Sequence, residues 1–266
     1  MMRTIKRFLL PTYLGLGLLY LFLPVLVVIL FSFNDYQGRF NVRWQGFTLE
    51  HWLDPFRVEE IPQALGVSIV VAALSSGIAT VIGTLIALAL TRYRFRGRAA
   101  TNVLLFFPMA TPEVVLGSSL LGLFVAMGTG AGFLTLLLAH ILFIISYAVA
   151  TIRARIVGFD RHLEEAAMDL YANEWDTFRK VTLPMILPGV FAAFLLGFAL
   201  SLDDFVVSNF TAGTIQTYPL YVWGAARRGI PAQVNVWGTV IFVLTVTVML
   251  LFLRAQRRRQ QKLGLT

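Results

Sequence analysis

The chain has 266 residues, of which 58% are hydrophobic and 14% charged, with no cysteine and a formal net charge of +8. Soluble domains carry about 25% charged and ~45–50% apolar residues. The composition therefore excludes a disordered chain, a basic nucleic-acid-binding domain and an ordinary cytosolic enzyme, because no soluble core of this size could hide so much apolar surface. The missing thiols exclude disulfides, zinc–thiolate sites and thiol catalysis.

A bilayer core of roughly 30 Å takes about 20 apolar residues to cross as a helix. Stretches at 11–33, 65–91, 102–125, 132–152, 185–206 and 236–253 meet that length, predicting an all-α membrane protein of six spans in one domain over 1–266. The first stretch is longer than the about 7–15 residues of a signal-peptide core, and no A-x-A site follows it. It is expected to remain as an anchor. Span two carries small residues at Ala72, Ser76, Ala79, Gly83 and Ala87. Such a face lets helix backbones approach in lipid, within the chain or against a second subunit. Span three holds Pro108, Pro112 and Glu113. A proline there frees carbonyls and kinks the helix, and a kinked, charged segment at membrane depth suits a solute path. The alternative places Glu113 near a span end, paired with a neighbouring subunit. The glycines at 128–132 form an outer turn between spans three and four. His140 in span four has no metal-ligand spacing to His51 or His162.

The loop at 153–184 is the longest cytoplasmic segment. Residues Leu163, Ala166, Ala167, Leu170 and Tyr171 fall on one face of a short helix over 163–172. Asn173 with Asp176 three residues on predicts an N-cap and a second helix, which Pro184 is expected to end. The first helix is too short to fold alone. Its apolar face packs either on the chain's own membrane helices or on a cytoplasmic partner. Span five ends in Asp203 and Asp204, which point about 100° apart, so at most one need face a lumen while the other caps a helix or meets the interface. A carboxylate in a span costs about 2.5–3.5 kcal/mol at the centre and less near an end, and such groups tend to mark pathways. A short outer helix over 220–228 follows, opened by Pro219 and closed by Gly229, with Arg227 and Arg228 complementing its dipole. It is a plain surface helix or a lid touching a delivery protein.

Basic residues set the orientation. Arg3, Lys6 and Arg7, then Arg92, Arg94, Arg96 and Arg98, then Arg153, Arg155, Arg161, Arg179 and Lys180, and finally Arg254, Arg257, Arg258, Arg259 and Lys262 fall on one side; the other keeps Arg39, Arg43, Arg57, Arg227 and Arg228. Positive charge stays inside, so both termini are cytoplasmic. No nucleic-acid role is needed for the C-terminal basic run. No G-x-x-x-x-G-K-[ST] occurs, so the chain itself is not expected to hydrolyse ATP.

Glu165, Ala166 and Ala167, with Asp169, Leu170, Ala172, Leu183, Pro184 and Pro188, resemble the EAA motif of ABC importer permeases. The resemblance implies a type I permease fold in which this helix couples to an ATP-binding subunit, Glu165 pairing with a base there. Tyr171 stands where the motif has glycine. Either the break in the helix moves to Asn173 or the partner's groove is cut differently. The segments 44–47, 92–97, 201–208 and 232–237 are similar to polyamine (spermidine/putrescine) permeases. The resemblance implies a second permease, an ATP-binding subunit dimer carrying ATP and Mg, and an external polyamine-binding protein. It further implies alternating access in a bacterial inner membrane, with Asp203 or Asp204 escorting the cation; Glu113 is a path candidate from its place after Pro112 alone. The chain itself would bind no cofactor or metal. Rival readings are the same machine for another small solute, a gradient-driven transporter using Glu113 and Asp203 for protons, and a membrane scaffold without transport.

Overall fold

A computed structural model of the chain describes residues 2–158, 160 and 162–262, and at 2–10, 252, 253 and 255–262 the backbone alone. Arg161 and the side chains of Arg3, Lys6, Arg7, Arg257, Arg258, Arg259 and Lys262, which enter the charge pattern, lie outside that description. The helices are α1 (Met2–Phe31), α2 (Glu50–Leu53), α3 (Glu60–Arg92), α4 (Arg98–Ala110), α5 (Glu113–Ala126), α6 (Phe133–Val157), α7 (His162–Asp169) and α8 (Glu174–Thr177). A π-helical turn (Phe178–Thr182) leads into α9 (Leu183–Asp203), followed by α10 (Val206–Thr211), α11 (Tyr218–Arg228) and α12 (Ala232–Lys262). The described residues hold no β-strand, only two isolated bridges. Five helical stretches are long and apolar enough to cross a membrane, and a sixth crossing follows if α4 and α5 count as one broken span.

That break corrects the expectation of one helix over 102–125. The axes of α4 and α5 differ by 110°, far more than a kink. Pro112 holds Thr111 out of the helical region at φ −79°, ψ 132° and itself sits at φ −56°, ψ 133°. Two extended residues in a row reverse the chain where a single proline within a helix would only bend it. Pro108 stays inside the last turn of α4.

Pro184 also behaves differently from expectation: it does not end the second cytoplasmic helix. Thr182 and Leu183 remain helical, and the Leu183 N–H reaches back to the Phe178 carbonyl. The π turn takes up the pairing that the proline disrupts, so the helix runs on from Glu174 to Asp203. The remaining differences are at the ends. The fifth span stops at Asp203 rather than 206, the first cytoplasmic helix at Asp169 rather than 172, and the outer helix starts at Tyr218 with Pro219 in its first turn.

The chain divides into two compact units. In residues 63–221, the small-residue face of α3 is buried inside the chain, with Ala72, Ser76, Ala79 and Ala87 inaccessible. A Cβ on Gly83 would sit 2.8 Å from that of Ala148 on α6, and one on Gly197 of α9 would sit 2.6 Å from Ile144 Cγ2. The three helices meet at small residues, and Leu90, Ile152, Ile156 and Ile186 close the core beside them. The face therefore serves packing within the chain, not a second subunit.

In residues 2–62 with 222–262, α1 packs on α12, with Phe22 edge-on to Phe242 at 6.4 Å. The outer loop after α1 is ordered by Asn34. Its amide donates to Asn41 Oδ1 (2.6 Å) and to the Arg43 carbonyl (2.7 Å), and its Oδ1 accepts from the Gln45 N–H. Phe33 stacks on both Phe47 and Trp52, and Trp237 of α12 donates to the Pro55 carbonyl at 2.9 Å.

Candidate functional site

All three carboxylates expected within spans border one cavity of about 550 Å³ in the unit of residues 63–221. The α4–α5 elbow supplies Pro112 and Glu113, α6 supplies Phe143 and Tyr147, and the end of α9 supplies Asp203, Asp204 and Phe205. Glu113 is the first residue of α5, where the helix dipole favours a negative charge. Asp203 is the last of α9, where the dipole disfavours one. Both are exposed and, among the described residues, neither carboxylate makes a hydrogen bond or ion pair.

Asp204 is different. The chain leaves the helix there (φ −67°, ψ 119°), and its carboxylate turns back onto α10. It accepts from the Ser208 N–H at 2.7 Å, the Ser208 hydroxyl at 2.8 Å and the Val207 N–H at 3.3 Å. Its side chain is only 6% exposed. Of the adjacent pair, one aspartate presents a free charge to the cavity and the other caps a helix, because the chain turns out of α9 between them.

Behind Asp204 lies a polar cluster that sequence reasoning missed. His140 is buried on α6, with Nδ1 2.7 Å from Ser201 Oγ and Nε2 3.1 Å from Ser208 Oγ and 3.4 Å from Asp204 Oδ2. Ser201 Oγ also lies 3.3 Å from Ser75 Oγ on α3. An ionisable side chain in an apolar span was the available signal; weighing His140 only as a metal ligand hid it. Among the described residues no group of three or more metal-ligating side chains exists.

The second feature lies in the cytoplasmic loop. Helix α7 has its usual polarity inverted. Its single buried residue is Glu164, while Leu163, Met168, Leu170, Tyr171 and, beyond, Trp175 are exposed. Ala166 is exposed and Ala167 half-buried. The predicted apolar face is therefore not packed on the chain's own helices. Glu165 and Asp169 are exposed, without a side-chain hydrogen bond or ion pair among the described residues. The helix ends in a Schellman turn: the Ala172 N–H reaches the Ala167 carbonyl (3.1 Å) and the Tyr171 N–H the Met168 carbonyl (2.9 Å). Tyr171 occupies the left-handed position at φ +64°, the one non-glycine residue with positive φ among the described residues. The break thus stays at Tyr171 rather than moving to Asn173. Asn173 caps α8 as expected, its Oδ1 accepting from the Asp176 N–H at 2.8 Å.

On the inner side of α7, the Glu164 carboxylate accepts from the Arg92 guanidinium at the end of α3 and from the Thr182 hydroxyl in the π turn. At the start of α7, Asp160 Oδ1 accepts from the His162 N–H and lies 2.6 Å from Nδ1 of the ring. This contact holds the exposed imidazole above the usual histidine pKa of 6.5 and Asp160 below the usual carboxylate value.

The profile of a family described as binding-protein-dependent transport system inner membrane component matches residues 79–262. The chain belongs to that family. The spermidine/putrescine transport system permease protein PotC of Haemophilus influenzae is 39% identical to this permease over 87% of this chain and 90% of its own length. PotC of Escherichia coli strain K12 is 39% identical over 87% of both chains. The putrescine transport system permease protein PotI of the same strain is 34% identical over 92% and 90%. Among solved structures, a bacterial ABC transporter involved in the import of the acidic polysaccharide alginate superposes with a TM-score of 0.69 at 16% identity, covering 97% of this chain and 98% of that one. An amino acid ABC transporter does so at 0.60 and 18%, covering 80% and 100%. The fold is that of type I ABC importer permeases, and the permease is a component of a bacterial inner membrane.

Proposed function

We propose that this permease carries polyamines of the spermidine and putrescine type inward, as one half of an ATP-driven path. The observation that carries the reading is the cavity: two unpaired carboxylates, Glu113 and Asp203, open onto walls of Phe143, Tyr147, Leu196 and Leu200. A linear polyamine has ammonium ends and an apolar methylene chain. Once water is stripped, its ends need carboxylate or aromatic partners and its middle needs hydrocarbon. Broken helices that place a helix C-terminus and freed carbonyls at membrane depth are suited to cations, and the end of α9 at Asp203 offers both. The similarity to PotC and PotI supports the same substrate class.

The rest of the machine follows from the same reading. A dimer of ATP-binding subunits, holding ATP and Mg, receives the outward apolar face formed by Ala166, Leu170, Tyr171 and their neighbours. Glu165 pairs with a base on that partner, and Ala167, Asp169 and Ala172 border the contact. A second permease chain completes the path, and an external binding protein delivers the polyamine. This chain performs no catalysis and binds no cofactor of its own. Labelled spermidine and putrescine uptake in a deletion strain, with this chain or its Glu165→Arg variant confirmed in the membrane, tests the reading. Uptake by wild type and loss in the variant is expected. No polyamine uptake by wild type removes the substrate, and full uptake by Glu165→Arg favours a gradient-driven transporter.

A further inference from the structure

Helix α7 has eight residues and would not hold its shape in isolation. Ordinarily such a segment is fixed by burying its apolar side. Here that side faces outward, and the residue turned inward is an acid, Glu164. Two segments from elsewhere in the chain converge on one of its carboxylate oxygens. Arg92 closes α3 and donates to it, and the Thr182 hydroxyl, from the end of the π turn, donates to the same atom. Arg92 Nη2 also reaches Thr182 Oγ1 at 3.3 Å, which closes the triangle. The Glu164 side chain is 10% exposed and that of Arg92 24%, so water screens the pair weakly.

We propose that Arg92, Glu164 and Thr182 form an ionic clamp that makes α7 move as one body with the cytoplasmic ends of α3 and α9, with Glu164 a positioning residue of the transport cycle. The inference rests on the docking role proposed above for the outward face of α7. The physical logic is a division of labour. A helix that docks through its apolar face cannot also be anchored by it, so the anchor has to be polar. A buried charge with a fixed arginine partner fixes register where an apolar contact would let the helix slide. The clamp transmits force and takes no part in docking, because the Glu164 carboxylate is turned onto Arg92 and Thr182 of this chain while Glu165, Leu170 and Tyr171 are exposed.

The test uses the whole importer in proteoliposomes, with ATPase subunits and external binding protein. Two measurements are made: ATP hydrolysed per spermidine transported, and co-purification of the ATPase. Arg92→Met and Glu164→Gln are expected to assemble normally and to raise the ATP cost per solute on the order of tenfold, the scale of a lost coupling between sites. The exchange Arg92→Glu with Glu164→Arg is expected to bring the ratio back toward wild type. An unchanged ratio in assembled complexes overturns the clamp. So does loss of ATPase co-purification, which would make these residues part of docking. If the variants fail to insert, spin labels at Tyr93→Cys and His162→Cys in the otherwise cysteine-free chain answer the same question with the clamp intact. Their separation is expected to stay constant between resting and ATP-bound states, and a change of about one helical turn, ~5.4 Å, overturns the proposal. Leu170→Asp reports separately on docking: retained co-purification fails that reading. Wild type that moves no spermidine fails the substrate reading, and the label distances then judge the clamp alone.

Discussion

Tyr171 lets the free chain and the assembled transporter be pushed in opposite directions by one substitution. It holds the left-handed position of a Schellman turn at φ +64°, where an L-residue with a Cβ costs about 1–2 kcal/mol relative to glycine. Tyr171→Gly removes that penalty but adds about 0.5–1 kcal/mol of unfolded-chain entropy. The turn should therefore gain about 0.5–1 kcal/mol net. No packing is lost, since Tyr171 is 99% exposed. Hydrogen exchange of the amides at 162–172 in nanodiscs is expected to slow by about two- to fivefold. In the assembled transporter the sign reverses. A tyrosine buried at the centre of an interface is worth about 2 kcal/mol or more, so the Kd for the ATPase subunit should rise about 30-fold. Tyr171→Asn, which tolerates the left-handed region, should lose affinity likewise while leaving the turn intact. Binding as tight as wild type, with exchange slowed as expected, would refute the argument that this side chain is held out for a partner.

The two aspartates separate in the same way. Asp203→Asn removes an unpaired charge worth about 1.5–3 kcal/mol to a bound ammonium, so KM for polyamine uptake should rise about 10–150-fold at unchanged membrane level. Asp204→Ala removes the cap on α10, about 1–2 kcal/mol, and should lower the amount of folded permease while moving KM far less; the reverse pattern would assign the roles wrongly. For the exposed Asp160–His162 contact the sign is fixed by the raised histidine and lowered carboxylate values. The histidine's contribution is full below pH 6.5 and lost as pH rises through its raised folded-state pKa. Acid removes the carboxylate's contribution only below its ordinary value. Carbon-13 histidine NMR should find His162 titrating above 6.5, and Asp160→Asn should lower it toward the ordinary value, with the nearby Glu165 still raising it.

The spans, the cap at Asn173 and the small face of α3 were legible because each depends on a local pattern: apolar length, a short side chain before a helix, or small residues one turn apart. The convergence of Glu113, Asp203 and Asp204 was not. It needs the 110° elbow, and a proline alone announces a kink, not a reversal. The passage of the helix through Pro184 was misjudged because a π turn depends on longer-range pairing that propensity does not encode. Glu164 was passed over because acid next to acid in a loop looks like a solvated face. Only the approach of Arg92, over 70 positions earlier in the sequence, turns it inward.

The π turn at Phe178–Thr182 has a mechanical consequence. It splices α8 to α9, so that Glu174–Asp203 is a single stretch of 30 residues, about 45 Å of rod at 1.5 Å per residue. One end stands beside the exposed Trp175 on the cytoplasmic side; the other carries the free carboxylate of the cavity. A loop in place of that splice would absorb a small stroke as bending. A continuous helix passes on more of it than a loop would, so the exposed Trp175 and the carboxylate of Asp203 lie on one connected element.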